Sequence, residues 1–320
     1  MQRCLLANGA VRPVQTTVTA RAALATTRTT TTTTTTTARR AMSSLITTEE
    51  LASRLDNVKV LDGSWHMPNA NRDPYKEYLE KRISGARFFG IDEIKDKTVD
   101  LPHMLPTAEA FADAVGRLGI SNDDAVVVYD STGFTSATRV YWTFKVFGHK
   151  QVSVLNGGLP KWESEKRPIE SGDPKPVKPA TYNVPTLNKD LVRDYAAMLA
   201  NAKSGGQDMQ VLDARSRERF TGDAPEPRPG LSSGHMPGSI SFPFNKVIRD
   251  GQLLSDDELS KLFQGIDLDK QIVTSCGSGI TASLLYFALE RVGAKKVAVY
   301  DGSWTEYAAK KDSIIIKDKQ

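Results

Sequence analysis

Cysteine is nearly absent from this chain. Its 320 residues include two, Cys4 and Cys276. Thiols so far apart offer no disulfide framework and no C-x-x-C metal spacing, so no metal site is predicted. Long apolar runs are also missing. None approaches the roughly 20 residues needed to span a bilayer, so no membrane association is predicted. Acidic residues and lysine are absent from residues 1–48, which carry Arg3, Arg12, Arg21, Arg28, Arg39 and Arg40. Taking those six charges from the formal net charge of +4 leaves the remainder at −2. A slightly acidic body gives no electrostatic reason to expect nucleic acid as a partner.

What residues 1–48 do contain is arginine, hydroxyl side chains and an unbroken threonine tract from Thr29 to Thr37. This is the composition of a mitochondrial or plastid import segment rather than a secretory signal. A low-complexity tail with nothing to bury is the other reading. The mitochondrial matrix is the expected destination. A start at Met42 would give a cytoplasmic form, and cleavage near residues 40–44 would remove Cys4.

The remaining chain alternates strand and helix signals, and it does so twice. "VKVLD" (58–62), "AVVVYD" (125–130) and "VSVL" (152–155) read as strands in the first half. "MQVLD" (209–213), "QIVTS" (271–275) and "VAVY" (297–300) read as strands in the second. Thr47 with Glu50 and Ser255 with Glu258 form capping boxes, and Thr107 caps a helix that Gly119 ends. Helices are predicted over 135–147 and 280–292. The letters repeat too. "VLDGSW" (60–65) matches "VLDARS" (211–216), "VVVYDSTGFTSA" (126–137) matches "QIVTSCGSGITA" (271–282), and "VLNGGLPKW" (154–162) matches "VYDGSWTEY" (299–307). A period of about 150 residues is far too long for a solenoid and indicates one duplicated domain. The fold class is therefore α/β, two tandem domains, each a mainly parallel sheet flanked by helices. The predicted boundaries are 1–43 for the import segment or tail, 44–165 for the first domain, and 166–188 for a Pro-rich linker. The second domain follows over 189–312, with a tail over 313–320.

Cys276 falls between the strand "QIVTS" and the helix at 280–292, on the turn Gly277–Ser278–Gly279. In such sheets ligands bind beyond the carboxyl ends of strands. A Gly-x-Gly turn lets successive N–H groups converge, and the helix adds its positive end. Both favour negative charge at the sulfur. Aligned on Gly133 and Gly279, the first half carries Asp130 at the place of Cys276, so only the second half keeps a nucleophile. The first half is expected to supply a wall of the cleft. A thiol protease needs a His held by Asn or Asp, and nothing near Cys276 proclaims one. A tyrosine phosphatase needs Arg six residues on, where Ala282 stands. A disulfide oxidoreductase needs a second thiol. A lone thiolate that accepts an atom and passes it on remains, and sulfane sulfur suits it.

Residues 44–312 resemble the tandem rhodanese-domain sulfurtransferases. "CGSGIT" (276–281) is similar to the active loop of the 3-mercaptopyruvate-using members, and "GHMPGS" (234–239) resembles the signature before the active strand. Thiosulfate-using relatives tend to carry C-R-K-G, where this chain has Gly277 and Ser278. The resemblance therefore implies 3-mercaptopyruvate as donor and a Cys276 persulfide. It implies a small thiol, reduced thioredoxin or cyanide as acceptor, and no cofactor. Thiosulfate as donor, or a non-catalytic binding module, are the alternatives. "RFTGDAPEPRPG" (219–230) resembles the stretch whose arginines grip the substrate, here Arg219 and Arg228. The loop backbone at Gly277, Gly279, Ile280 and Thr281 would complete that grip. "GIDEI" and "HMLP" resemble segments carrying a triad-like set, which places Asp92, His103 and Ser278 beside the nucleophile. His235 reads as structural, and His66 and His149 give no signal. Trp65, Trp142, Trp162 and Trp304 read as packing residues, with Trp304 at the border of the cleft.

Overall fold

Uninterrupted runs such as Val126–Tyr129 and Gln271–Ser275 are rich in β-branched residues and carry side chains buried on both faces. That pattern belongs to a parallel strand covered by helices above and below. The computed structural model describes residues 10–17 and 43–318. Residues 10–17 are exposed without regular structure. The threonine tract, Met42 and Cys4 lie outside the described residues, and so does most of the predicted import segment.

In chain order the first repeat contains β1 (Leu45–Ile46), α1 (Thr48–Ala52), β2 (Lys59–Asp62), α2 (Pro74–Glu80), β3 (Arg82–Ile83) and β4 (Arg87–Phe88). It continues with α3 (Ala108–Arg117), β5 (Val126–Tyr129), α4 (Ala137–Val146), β6 (Val152–Leu155), α5 (Gly158–Ser164) and β7 (Ile169–Glu170). The second repeat runs through β8 (Val192–Arg193), α6 (Tyr195–Lys203), β9 (Gln210–Asp213), α7 (Arg217–Thr221) and β10 (Ile240–Ser241). Then come β11 (Ile248–Arg249), β12 (Gln252–Leu253), α8 (Asp256–Leu262), β13 (Gln271–Ser275), α9 (Ile280–Arg291), β14 (Lys296–Tyr300) and α10 (Ser303–Ala309). Both expected capping boxes form at α1 and α8, and Thr107 caps α3.

The two main sheets have the same order, β4-β2-β5-β6-β1 and β10-β9-β13-β14-β8, with every neighbouring pair parallel. The duplication read from the letters is thus a duplication of topology. In each sheet the chain moves outward one way from the β2 or β9 strand and the other way from β5 or β13. The crevice between those two strands is a topological switch point, where α/β sheets bind ligands.

The repeats pack through α4 and α9. Both helices are buried on most of their surface, as expected of helices enclosed between the repeats. Phe287 meets Phe134 and Tyr141 edge to face, at 5.4 and 4.9 Å between ring centroids. The Tyr141 hydroxyl donates to Glu290 at 2.6 Å. One apolar core runs through this seam from Leu61 and Phe111 to Leu284 and Val299. Among the described residues no helix is long and apolar enough to cross a membrane.

Two segments outside the predicted domains, the linker and the tail, pack onto the folded body. Within 166–188, β7 pairs antiparallel with β3, and Tyr182 is buried against Phe111 and His149. The carbonyl of Gly172 accepts from buried Arg82 at 2.6 Å. In the tail, Ile316 exchanges backbone hydrogen bonds with His235 at 2.8 and 2.9 Å. Sequence composition marks such stretches as poor in core residues, but a single Tyr or one bridge is enough to fasten them.

Candidate functional site

Strand β13 ends at Ser275, and Cys276 follows it, 3% exposed. The backbone N–H groups of Ser278 and Gly279 both point at its sulfur, at 3.4 and 3.1 Å. Helix α9 begins at the next residue, so its positive end faces the same atom. Gly279 makes this turn possible. Its φ is +89°, and an added Cβ would lie 2.6 Å from Nη1 of Arg139. The loop is fixed from behind by the start of α10. Trp304 N donates to the Cys276 carbonyl at 2.9 Å. Thr305 donates to the Gly277 carbonyl through its amide at 3.0 Å and its hydroxyl at 2.6 Å.

The first repeat offers an internal comparison. Tyr129 pairs with Asp62 in the register in which Ser275 pairs with Asp213. Asp130 is therefore the counterpart of Cys276. Its carboxylate accepts from the amides of Thr132, Thr135 and Ala137 at 2.9, 2.7 and 3.0 Å. The same kind of N–H cradle is present, filled by the chain's own anion.

Cys276 faces a cavity of about 430 Å³ at the seam of the two repeats. Trp65, His66, Met67, Ala70, Thr132 and Thr135 form the first-repeat wall. From the second repeat come Ala214, Arg215 and Ser216 after β9, and Gly277, Ser278, Ile280 and Thr281 after β13. These are the two sides of the switch point. Arg219, Arg228 and Phe244 complete the lining. A cleft of about 470 Å³ elsewhere on the seam is lined by Lys145, His149, Asn188, Tyr286, Glu290 and Lys295 and holds no cysteine.

Three guanidiniums gather at this cavity. A Cβ on Gly277 would lie 3.2 Å from Nη2 of Arg219 and 3.9 Å from Nη1 of Arg228. Arg219 is held by Glu226 through Nε at 3.2 Å and through Nη2. Arg228 is half-buried and has no ion-pair partner among the described residues. Burial lowers its pKa most, with the Cys276 charge opposing that effect. Arg215 is fully buried. It grips Asp213 with Nε and Nη2 at 3.0 and 2.6 Å, reaches Glu226 at 2.8 Å, and stacks over Trp304 at 4.0 Å. Burial alone would lower its pKa, but the two carboxylates outweigh it and raise it.

Asp92 and His103 are brought together as expected, with Nδ1 of His103 2.8 Å from Asp92. Trp65 donates its indole N–H to the same carboxylate at 2.9 Å. Burial pushes the Asp92 carboxyl up, yet these partners outweigh it and hold it below the usual range. Burial pushes the His103 imidazole down, and the Asp92 contact only partly offsets this. An ionised Asp92 can only accept, so Nδ1 carries the proton and Nε2 keeps a bare lone pair. That Nε2 is buried without a partner. No hydrogen bond joins His103 to Ser278, so the third link of the expected set is not made. His103 has a φ of +61°, and its carbonyl is held by Arg139.

Sequence reasoning missed Arg215, Glu226 and His66. The Asp-x-Arg spacing in "VLDARS", against Gly-Ser in "VLDGSW", was the available signal for Arg215. Glu226 looked like one acid in a solvated Pro-rich loop, but its side chain is 3% exposed. His66 lines the cavity and meets Glu77 at 3.0 Å. Trp304, expected at the cleft border, is fully buried, with Arg215 stacked over its ring and its indole N–H donating to the Ser232 carbonyl at 2.8 Å. His235 stacks on Phe220 at 4.0 Å and binds its carbonyl, a packing role. Among the described residues no cluster of His, Cys, Asp and Glu could hold a metal ion.

The Rhodanese-like domain family matches residues 47–165 and again 196–310. The chain is 43% identical over 278 residues to the probable 3-mercaptopyruvate sulfurtransferase of Schizosaccharomyces pombe, covering 84% of this chain and 93% of that protein. It is 43% identical over 298 residues to the mitochondrial thiosulfate/3-mercaptopyruvate sulfurtransferase 1 of Arabidopsis thaliana, covering 84% and 79%. Its fold is similar to the sulfur transferase subunit of yeast mitochondrial complex I, with a TM-score of 0.79 and 37% identity over 87% of this chain and all of that one.

Proposed function

The chain belongs to the family of rhodanese-like domain proteins, and on that premise we propose that it transfers sulfane sulfur from 3-mercaptopyruvate through a persulfide on Cys276. Its relatives are sulfurtransferases of the 3-mercaptopyruvate and thiosulfate type, so the enzyme class is that of sulfur-group transfer. One observation carries the choice of donor. Two N–H groups cradle the Cys276 sulfur in a loop without a side-chain cation, while Arg219 and Arg228 stand over Gly277. This suits a donor whose single charge lies away from its sulfur.

The thiolate attacks the thiol sulfur of the donor. A sulfur–sulfur bond forms, the carbon–sulfur bond breaks, and its electron pair becomes the enolate of pyruvate. Arg219 and Arg228 hold the carboxylate by charge-assisted hydrogen bonds. The cradle N–H groups and the end of α9 stabilise the negative charge on the persulfide. His103, neutral and oriented by Asp92, takes the thiol proton and returns it to the enolate carbon. His103 lies outside the lining of the Cys276 cavity, its Nε2 is buried and it makes no direct bond to Ser278, so this step needs a movement of the loop that brings His103 to the cavity. A thiolate acceptor, either a small thiol or reduced thioredoxin, or cyanide, then takes the outer sulfur and regenerates Cys276.

A second reading has thiosulfate as donor, since the Arabidopsis relative is named for both. Intact-mass spectrometry separates the two. Mercaptopyruvate should add about 32 Da to the wild-type chain, as one persulfide sulfur requires, and nothing to Cys276→Ser. Loading by thiosulfate alone would overturn the donor assignment. Loading of the Ser variant would overturn the nucleophile.

The proposed location is the mitochondrial matrix, with a cytoplasmic form from Met42. The acid-free arginine composition of residues 1–48 supports it, and so does the mitochondrial relative. A reporter fused to residues 1–48 should enter mitochondria, whereas one on a chain begun at Met42 should not.

A further inference from the structure

Glu226 is a carboxylate that a solvated loop would not bury. Its side chain is 3% exposed, and burying a carboxylate costs heavily unless it is paired. It is paired twice, with Arg215 at 2.8 Å through Oε1 and with Arg219 through both oxygens. Arg215 does not need it for neutrality, because Asp213 already binds Arg215 through two nitrogens. The partner whose charge depends on Glu226 is therefore Arg219. The three guanidiniums and the two carboxylates paired with them sum to one positive charge, and Arg228 is the guanidinium without an ion-pair partner among the described residues, with Asp92 and Cys276 acting on it from farther off.

We infer that Glu226 sets the charge of the catalytic cavity, cancelling Arg219 so that one guanidinium answers the bound donor and singly charged donors are favoured over doubly charged ones. The inference rests on the sulfurtransferase reading and names the residue that tunes it. The loop cradle and the end of α9 compensate the sulfur itself, so the arginines are left to the rest of the donor. With Glu226 ionised they supply one net charge, enough for a keto-acid carboxylate. Removing that acid would supply two, which suits a dianion such as thiosulfate. Arg219 Nη2 lies 3.2 Å from the position of a Gly277 Cβ, next to the nucleophile. At so short a range one unit of charge changes relative affinities several-fold, even at an effective dielectric near 20.

Alkylation of Cys276 tests this without relying on turnover. Iodoacetate carries one negative charge and iodoacetamide none, and both react with the same thiolate. The ratio of their rates cancels changes in exposure and thiolate fraction. It is read on the Cys276 peptide of the full chain by mass spectrometry. Glu226→Gln should raise the iodoacetate-to-iodoacetamide ratio at least about threefold. It should shift relative kcat/KM toward thiosulfate in the same sense. Glu226→Asp keeps the charge on a shorter arm and should stay within about twofold of the parent ratio. An unchanged ratio in the Gln variant would show that the charge is not felt at Cys276 and would overturn the inference. A threefold rise in the Asp variant would make arm geometry the determinant and overturn the inference. If the Gln variant fails to fold, Arg219→Gln decides, because it leaves Glu226 without the cation it cancels: a ratio at least about threefold below the parent supports the inference, and an unchanged ratio overturns it. Failure of the sulfurtransferase reading would appear separately, as no mass gain on parent Cys276 with mercaptopyruvate, and would leave the alkylation ratios unaffected.

Discussion

Arg139, on α4 of the first repeat, donates a 2.6 Å hydrogen bond to Asp301, at the end of β14 in the second. Both side chains are almost wholly buried. The same Arg139 nitrogen holds the His103 carbonyl, and its guanidinium lies over Trp142 at 4.5 Å. The other oxygen of Asp301 accepts from the amide of Leu105 at 2.9 Å. One ion pair therefore joins the two repeats and the His103 loop, and an added Cβ on Gly279 of the Cys276 loop would lie 2.6 Å from Nη1 of its arginine. Breaking a buried pair from one side leaves an uncompensated charge. Arg139→Met should cost about 3–5 kcal/mol in denaturant unfolding. The double variant Arg139→Met, Asp301→Asn should recover much of that. A loss below about 1 kcal/mol in the single variant would place the pair among those that contribute little.

The carboxylate clamp predicts an order of effects. Losing a hydrogen bond to a charged group costs roughly 1.5–3 kcal/mol, at least a tenfold rise in KM. Arg228→Ala should raise the KM for mercaptopyruvate more than Arg219→Ala, because Glu226 already counters Arg219. Steady-state kinetics on both variants checks this. Unchanged KM values in both would remove the arginines from substrate binding.

Loop charge should select the donor. Position 277 is a poor place for an added cation, since its side chain would emerge against Arg219. Position 278 lines the cavity. Ser278→Lys should move the ratio of kcat/KM values toward thiosulfate by about tenfold, the equivalent of 1.4 kcal/mol. A ratio that stays at the parent value would show that the missing C-R-K-G cations are not what distinguishes the donors.

Asp62 supplies a pH prediction. It occupies the first-repeat place of Asp213 but has Ser64 where Asp213 has Arg215. Burial pushes its pKa up to about 6, against the lowering by Ser64 and Tyr129. Between the usual 3.8 and about 6 the folded chain therefore holds a proton that the unfolded chain has lost. Stability from this group falls as pH rises through that window and levels off above it. Asp62→Asn should remove the fall and add on the order of 2 kcal/mol near pH 7. Unfolding midpoints at pH 4 to 8 would test it. A parallel loss at every pH would mean that the carboxyl is a hydrogen-bond acceptor and nothing more.

Much of the fold is legible in local sequence. Strands such as Val152–Leu155 are fixed by short β-branched runs, and helices with capping boxes by caps that act within a few residues. The internal repeat extends that local reading to the whole topology, because two copies of one pattern imply two copies of one sheet. Cys276 is legible for the same reason, since a strand, a Gly-x-Gly turn and a helix determine where a backbone cradle forms.

The tertiary structure decided what depends on distant partners. Glu226 is an acid in a Pro-rich loop until Arg215 and Arg219 close on it, and Arg139 is one more helix cation until Asp301 meets it from the other repeat. Position 130 is visible in the sequence as a missing thiol, but only the folded loop reveals a carboxylate seated in its own amides. His103 and Asp92 are eleven residues apart in sequence, and their pairing depends on Trp65 and on a carbonyl held from α4. Periodicity and caps are short-range and can be read along the chain. Charge compensation in a buried cavity is set by which groups the fold brings within hydrogen-bonding distance, and no local pattern records it.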